Sequence, residues 1–132
     1  MPLIELTPDN FETTVFGDGT YVVDFWAEWC GPCRQFAPVF EAAVEQHPEV
    51  TFAKVDIDAQ PELAAMLQVM SVPTLFVVRD GVPLLLQPGA MGAPAFEDLL
   101  SQVGALDMAV VKAEYAQQVA TDDGSSAPQP EQ

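Results

Sequence analysis

Apolar residues along this 132-residue chain change period several times, and each change marks an element. Leu3-Ile4-Glu5-Leu6 is a short apolar run suited to an edge strand. Thr7-Pro8-Asp9 then supplies a capping hydroxyl, a proline whose missing N–H costs nothing in a first turn, and an acid at the positive end of the helix dipole. A short helix is expected there, with Phe11, Val15 and Phe16 on its apolar side and Gly17-Asp18-Gly19 ending it. Tyr21-Val22-Val23-Asp24-Phe25-Trp26 is β-branched and aromatic, the composition of a buried central strand. Phe36, Ala37, Phe40, Ala43 and Val44 recur at helical spacing; Pro38 should kink that helix and His47-Pro48 should close it.

Residues 50–57 read as a second, partly alternating strand, and 61–66 as a short helix. Two apolar runs, 74–79 and 82–86, flank Asp80-Gly81, a dipeptide that favours a two-residue hairpin. Gly89 and Gly92 mark a turn, and an amphipathic helix starts near Pro94 with Phe96, Leu99, Leu100 and Val103 on one face. Strands alternating with helices predict an α/β fold. The sheet should be mixed and mainly parallel, with an antiparallel terminal hairpin and helices on both faces.

This domain spans 1–106. Met108, Val111, Tyr115 and Val119 continue a helical stripe, so 107–120 is expected to be a helical extension, packed on its own domain or docking a partner. Residues 121–132 have nothing from which to build a core and should be a disordered acidic tail. The methionines are expected as gap-fillers in the core, with Met70 the exception.

Composition narrows the class. A hydrophobic content of 49% fits a globular chain, and no apolar run approaches the length of a membrane span. The first ten residues hold no basic cluster and no long apolar run, so no signal peptide is expected, and the default is a soluble protein in the reducing cytoplasm. Twenty acids face four cations, for a net charge of −16. Nucleic acids and anionic membranes should be repelled. The charge suits either selection of basic partner surfaces or plain solubility, including in a salty interior.

The chemistry concentrates in Trp29-Cys30-Gly31-Pro32-Cys33, which holds both cysteines of the chain. A pair this local cannot staple a fold, so its value is chemical. Placed where a strand meets a helix, Cys30 falls at the helix N-terminus, where free N–H groups and the dipole stabilise a thiolate. Cys33, one turn further in, should be more buried and poised to resolve a mixed disulfide. Half of a zinc site is the alternative, but tetrahedral zinc needs about four ligands and the chain offers only His47 besides carboxylates. His47 itself, at a helix end, reads as a dipole-compensating or surface residue. Asp24 lies inside an apolar strand, where desolvation should raise its pKa until it exchanges protons near neutral pH. Trp26 is expected as a core aromatic.

The segment 23–33, running Val-Asp-Phe-Trp-Ala-Glu-Trp-Cys-Gly-Pro-Cys, resembles the active-site segment of thioredoxins. The resemblance extends through Pro38, Lys54, Val72-Pro73-Thr74, Asp80-Gly81 and Gly89, in order and spacing over roughly 3–106. It implies a thioredoxin-like fold and reduction of protein disulfides, with Cys30 attacking and Cys33 resolving. It further implies that Asp24 handles the proton of Cys33, that Lys54 faces Asp24, and that Pro73 is cis. Trp29, Gly31, Pro32, Val72, Pro73, Gly89 and Ala90 would form the docking surface. No cofactor or metal is implied on the chain, which would act as a monomer on disulfide-containing clients. Its electrons would come from NADPH through a flavin-containing thioredoxin reductase. A disulfide oxidase or isomerase, and a binding scaffold on the same fold, are the rival readings. Related thioredoxins often carry a basic residue where this chain has Met70-Ser71, which leaves partner choice open.

Overall fold

The computed structural model describes residues 3–125. Its elements are β1 (Ile4–Glu5), α1 (Phe11–Val15), β2 (Thr20–Trp26), α2 (Gly31–Gln46), β3 (Val50–Asp56), α3 (Pro61–Met66), β4 (Thr74–Arg79), β5 (Val82–Pro88), α4 (Ala93–Ala105) and α5 (Met108–Ser125). The strands form one sheet in the order β1-β3-β2-β4-β5. β2 is therefore central, as its apolar composition requires.

Alternation along the strands divides the core. Val22, Phe52, Leu75 and Val77 face α2 and α4, where they pack with Phe36, Phe40, Phe96 and Leu100. Val23, Phe25, Val55, Phe76 and Val78 face the other way, toward Phe11 and Val15 of α1 and Leu63 of α3. Edge-to-face contacts link Phe36 to Phe96 and Phe40 to Phe52, with centroids 5.3 Å apart in each pair.

Three expectations change. The sheet is not mainly parallel: β1–β3 and β3–β2 are parallel, whereas β2–β4 and β4–β5 are antiparallel. The cause lies in α3, whose six residues span only about 9 Å. That is too short to carry the chain back along the sheet for another parallel strand. The first helix starts at Phe11 rather than at Pro8; residues 8–10 form a turn, in which the N–H groups of Asn10 and Phe11 share the Thr7 carbonyl. Met66 and Met70 are exposed rather than gap-filling; Met70 was expected to be the exception, Met66 was not.

The hairpin forms as its residues dictate, with Asp80 and Gly81 at φ 52° and 81°. Asp80 also ties the hairpin to the start of β2: its N–H donates to Gly19 O at 2.8 Å, and its Oδ1 accepts from Gly19 N–H at 2.9 Å. Arg79 donates from Nη1 to Val103 O (2.7 Å) at the end of α4. In the extension, Met108 is buried, Val111 and Tyr115 are half-buried, and Val119 is exposed, so the stripe packs only over its first turns. Lys112 Nζ lies 3.7 Å from Asp80 Oδ2 and holds this helix to the hairpin. α5 continues past residue 120 to Ser125. Of the stretch expected to be disordered, 126–132 lies outside the described residues. Among the described residues, no helix is long and apolar enough to cross a membrane.

Candidate active site

β2 runs straight into the cysteine segment, and Cys30 becomes the N-cap of α2 with extended backbone (φ −90°, ψ 113°). Its Sγ accepts the Cys33 N–H at 3.1 Å, one of the donors that a helix start leaves free. Pro32 sits in the first turn, where it has no N–H to satisfy. Cys30 and Cys33 form a disulfide across a Cα separation of 5.2 Å. The same donors that hold Cys30 Sγ here would stabilise its thiolate after reduction.

The two cysteines do not differ in burial as expected. Cys30 is 4% exposed and Cys33 3%, because Ala27, Trp26, Ile57 and Val72 close over both. What separates them is position: Cys30 caps the helix, and its Sγ alone lies 3.6 Å from the Val72 carbonyl. The Val72–Pro73 peptide is cis. Among the described residues, no hydrogen bond engages the N–H of Val72. Gly89 N–H donates to Pro73 O at 2.8 Å and fastens the end of β5 to this loop. Gly89 adopts φ 103°, a left-handed conformation that suits glycine. Ala90 is exposed on the α2 side, beside Gln35 and Val39. Gly31 is half-buried, with open space where a Cβ would stand, and Pro32 is exposed.

Asp24 lies on β2, the strand that leads into the pair. Alternation along β2 sets it on the face of Val22, the face that α2 covers. It is 1% exposed, and its Oδ1 has no hydrogen-bond partner. Burial pushes its pKa up to about 7, opposed in part by the charge of Lys54. Lys54 is the register partner of Asp24 on β3, so the two share a face. It does not form a contact ion pair with that acid, however; Nζ sits 4.6 Å from the centroid of the Trp26 ring. Trp26 is thus half-buried between the disulfide and this cation.

Trp29 is 66% exposed, yet not free: its Nε1–H donates to Asp58 Oδ2 at 2.9 Å. Asp58, which holds the Trp29 indole, is a residue that sequence reasoning missed. The only signal was indirect, since the parallel register Trp26↔Asp56 sets the segment after β3 beside the segment after β2. Asp56 shapes that segment by accepting the N–H groups of Asp58 and Ala59 at 2.9 and 3.3 Å. Ile57, which packs on the disulfide, was likewise not singled out. On the other flank Arg34 Nη1 donates to Glu28 O at 2.7 Å, bracing the loop before Cys30. His47 lies at the opposite end of α2, away from the sulfurs. Among the described residues, no group of three or more His, Cys, Asp or Glu is placed to hold a metal ion.

Comparison with known proteins agrees with this geometry. The thioredoxin family profile matches residues 2–105. The chain is 48% identical over 117 residues to a protein of Streptomyces coelicolor named putative thioredoxin 2, covering 89% of this chain and 87% of that one. It is 44% identical over 102 residues to a bifunctional thioredoxin reductase/thioredoxin of Mycobacterium leprae, covering 76% of this chain and 22% of that one. Among solved structures, a thioredoxin of Malassezia sympodialis superposes with a TM-score of 0.70 at 31% identity, covering 76% and 90% of the two chains. The match over nearly the whole domain and the Cys30–Cys33 disulfide together show that the chain belongs to the thioredoxin family and is a thiol–disulfide oxidoreductase.

Proposed function

We propose a division of labour for the reduction of protein disulfides. Reduced Cys30, as thiolate, attacks one sulfur of a client disulfide; that S–S bond breaks, the client's other sulfur leaves as thiolate, and a mixed disulfide remains. Asp24, ionised, takes the proton of Cys33. The Cys33 thiolate then attacks Cys30 Sγ and expels the second client thiolate, which leaves the Cys30–Cys33 disulfide. The observation that carries this reading is the disulfide at the N-cap of α2, with Cys33 N–H aimed at Cys30 Sγ. Lys54 lowers the cost of an ionised Asp24 through its charge rather than by contact.

The client is held as an extended segment against Val72, whose N–H is open to it, with Trp29, Gly31, Pro32, Pro73, Gly89 and Ala90 around the attacked bond. Electrons return from NADPH through a flavin-containing thioredoxin reductase. The Mycobacterium leprae relative, whose name joins reductase and thioredoxin, supports that pairing. The chain acts as a monomer in the reducing cytoplasm, a reading favoured by its high charge and by a pair of cysteines suited to cycling.

Insulin reduction with dithiothreitol tests the whole scheme. The protein should accelerate precipitation of the free insulin B chain well beyond dithiothreitol alone; no acceleration would refute it. A redox potential well above that of the glutathione pool would instead favour an oxidase or isomerase.

A further inference from the structure

The surface beside the disulfide is apolar on one flank. Met70 is 92% exposed, the most open large apolar side chain among the described residues, and Leu86 is 41% exposed. With Gln68, Val69, Ser71, Thr74 and Pro88 they line a groove of about 130 Å³, apolar over most of its wall. That is close to the roughly 150 Å³ of apolar cavity that takes up a benzene ring. No charged side chain lines it, in a chain with twenty acids. The register fixes where it lies. Phe25 pairs with Thr74 and Thr74 with Pro88, so the groove opens at the end of the sheet where β2 delivers Cys30.

We propose that this groove is a specificity subsite, which takes an apolar side chain of the client about two residues along the chain from the half-cystine that Cys30 attacks. The inference rests on the disulfide-reduction reading above. A client sulfur must come within bonding distance of Cys30 Sγ, itself 3.6 Å from Val72 O. The client main chain therefore has to cross the 70–74 segment. Met70 precedes Val72 by two residues, so a client strand at about 3.3 Å per residue reaches the groove in two residues of its own. Of the polar groups in the lining, the Thr74 hydroxyl is already engaged, donating to Ser71 O at 2.8 Å. An aliphatic client side chain would cover Met70 and Leu86, an area that a small polar one would leave in water. The flank carrying Trp29 differs, because Asp58 holds its indole and supplies a carboxylate. A client is thereby offered an apolar side and an anionic side, which sets the direction in which its chain runs.

Peptide disulfides carrying Leu or Ser two residues before or after the cysteine, reduced in a dithiothreitol-coupled assay, test the subsite. For one of the two positions the wild-type protein should prefer Leu over Ser by about tenfold in kcat/KM. Met70→Ser and Leu86→Asn should each cut that ratio to about twofold or less, while melting cooperatively as the wild type does. An equal Leu/Ser ratio in the wild type, or a ratio that survives both substitutions, would overturn the subsite. A wild type that reduces neither peptide would remove disulfide reduction itself, and the subsite with it. A direct reading comes from Cys33→Ser, which traps the mixed disulfide. The Met70 methyl resonance should shift with the Leu peptide and stay with the Ser peptide; no difference between the two would overturn the proposal.

Discussion

The two ends of α2 are built on opposite terms. At its N-terminus the chain leaves polar groups in want of partners: Asp24 Oδ1 is buried with none, and Val72 N–H engages none among the described residues. At its C-terminus the capping residue is fully engaged. His47 N–H donates to Ala43 O at 2.9 Å, and the ring touches Glu97 Oε1 at 2.7 Å and Glu49 Oε2 at 3.2 Å. Through Glu97 this ring joins α2 to α4. A satisfied end holds the helix in place; an unsatisfied end stores the capacity to bind and to move a proton. Substitutions at one end should therefore cost activity, and at the other stability.

The largest effect tests the first half of that contrast. Cys30→Ser should lower insulin reduction by at least about a thousandfold, since a hydroxyl at its ordinary pKa is no nucleophile for sulfur. Its thermal melting, read against the wild type under reducing conditions, should change little. Residual turnover near wild type would show that Cys33 attacks instead.

Asp24→Asn probes the unmet carboxylate, and the sign can be worked out. The folded pKa, about 7, exceeds the ordinary 3.8, so the folded state holds this proton more tightly than the unfolded state. The stability this confers is present in full below about pH 4 and is lost as pH rises through 7. Across that window the loss is on the order of 4 kcal/mol, at 1.36 per unit. Asn, which cannot ionise, should make the protein several kcal/mol more stable than wild type at pH 8 in urea denaturation. The same variant should resolve mixed disulfides about tenfold more slowly, or worse, and lose the rate dependence centred near pH 7. A variant equally fast, or less stable at pH 8, would break the assignment.

The smallest effect belongs to the satisfied end. Burial alone would lower the pKa of His47, but hydrogen bonds to Glu97 and Glu49 outweigh it and hold the ring above its ordinary value. Its contribution is then complete below the ordinary pKa of about 6.5 and is lost as pH rises through the raised one. His47→Gln should cost about 0.5–1 kcal/mol at pH 5.5 and less at pH 9. Insulin reduction should be unaffected. A loss of activity would mean that the two ends of α2 are not independent.

How much of this was legible in the sequence depended on the distance over which each signal acts. Periodicity assigned the face of α2, Asp80-Gly81 the hairpin, and the apolar neighbours of Asp24 its burial, because each signal is contained in a few consecutive residues. The direction of β4 was not legible. It follows from how short α3 is relative to the sheet, a comparison between two elements rather than a property of either. Asp58 was hidden for the same reason, since its bond to Trp29 exists only once β2 and β3 are in register. The near-equal burial of the cysteines arises from Ile57 and Val72, which approach from other elements. The position of Lys54 over Trp26, rather than against Asp24, was not legible either, since it depends on a side-chain rotamer and not on where the strands lie.

Each of the four cations is already occupied within the fold. Arg34 is held by a loop carbonyl, Lys54 by the face of Trp26, Arg79 by the end of α4, and Lys112 by Asp80. In solution the molecule thus behaves as a colloid of a single sign. Two copies that drift together meet like charge over several ångströms of approach, farther out as salt is diluted.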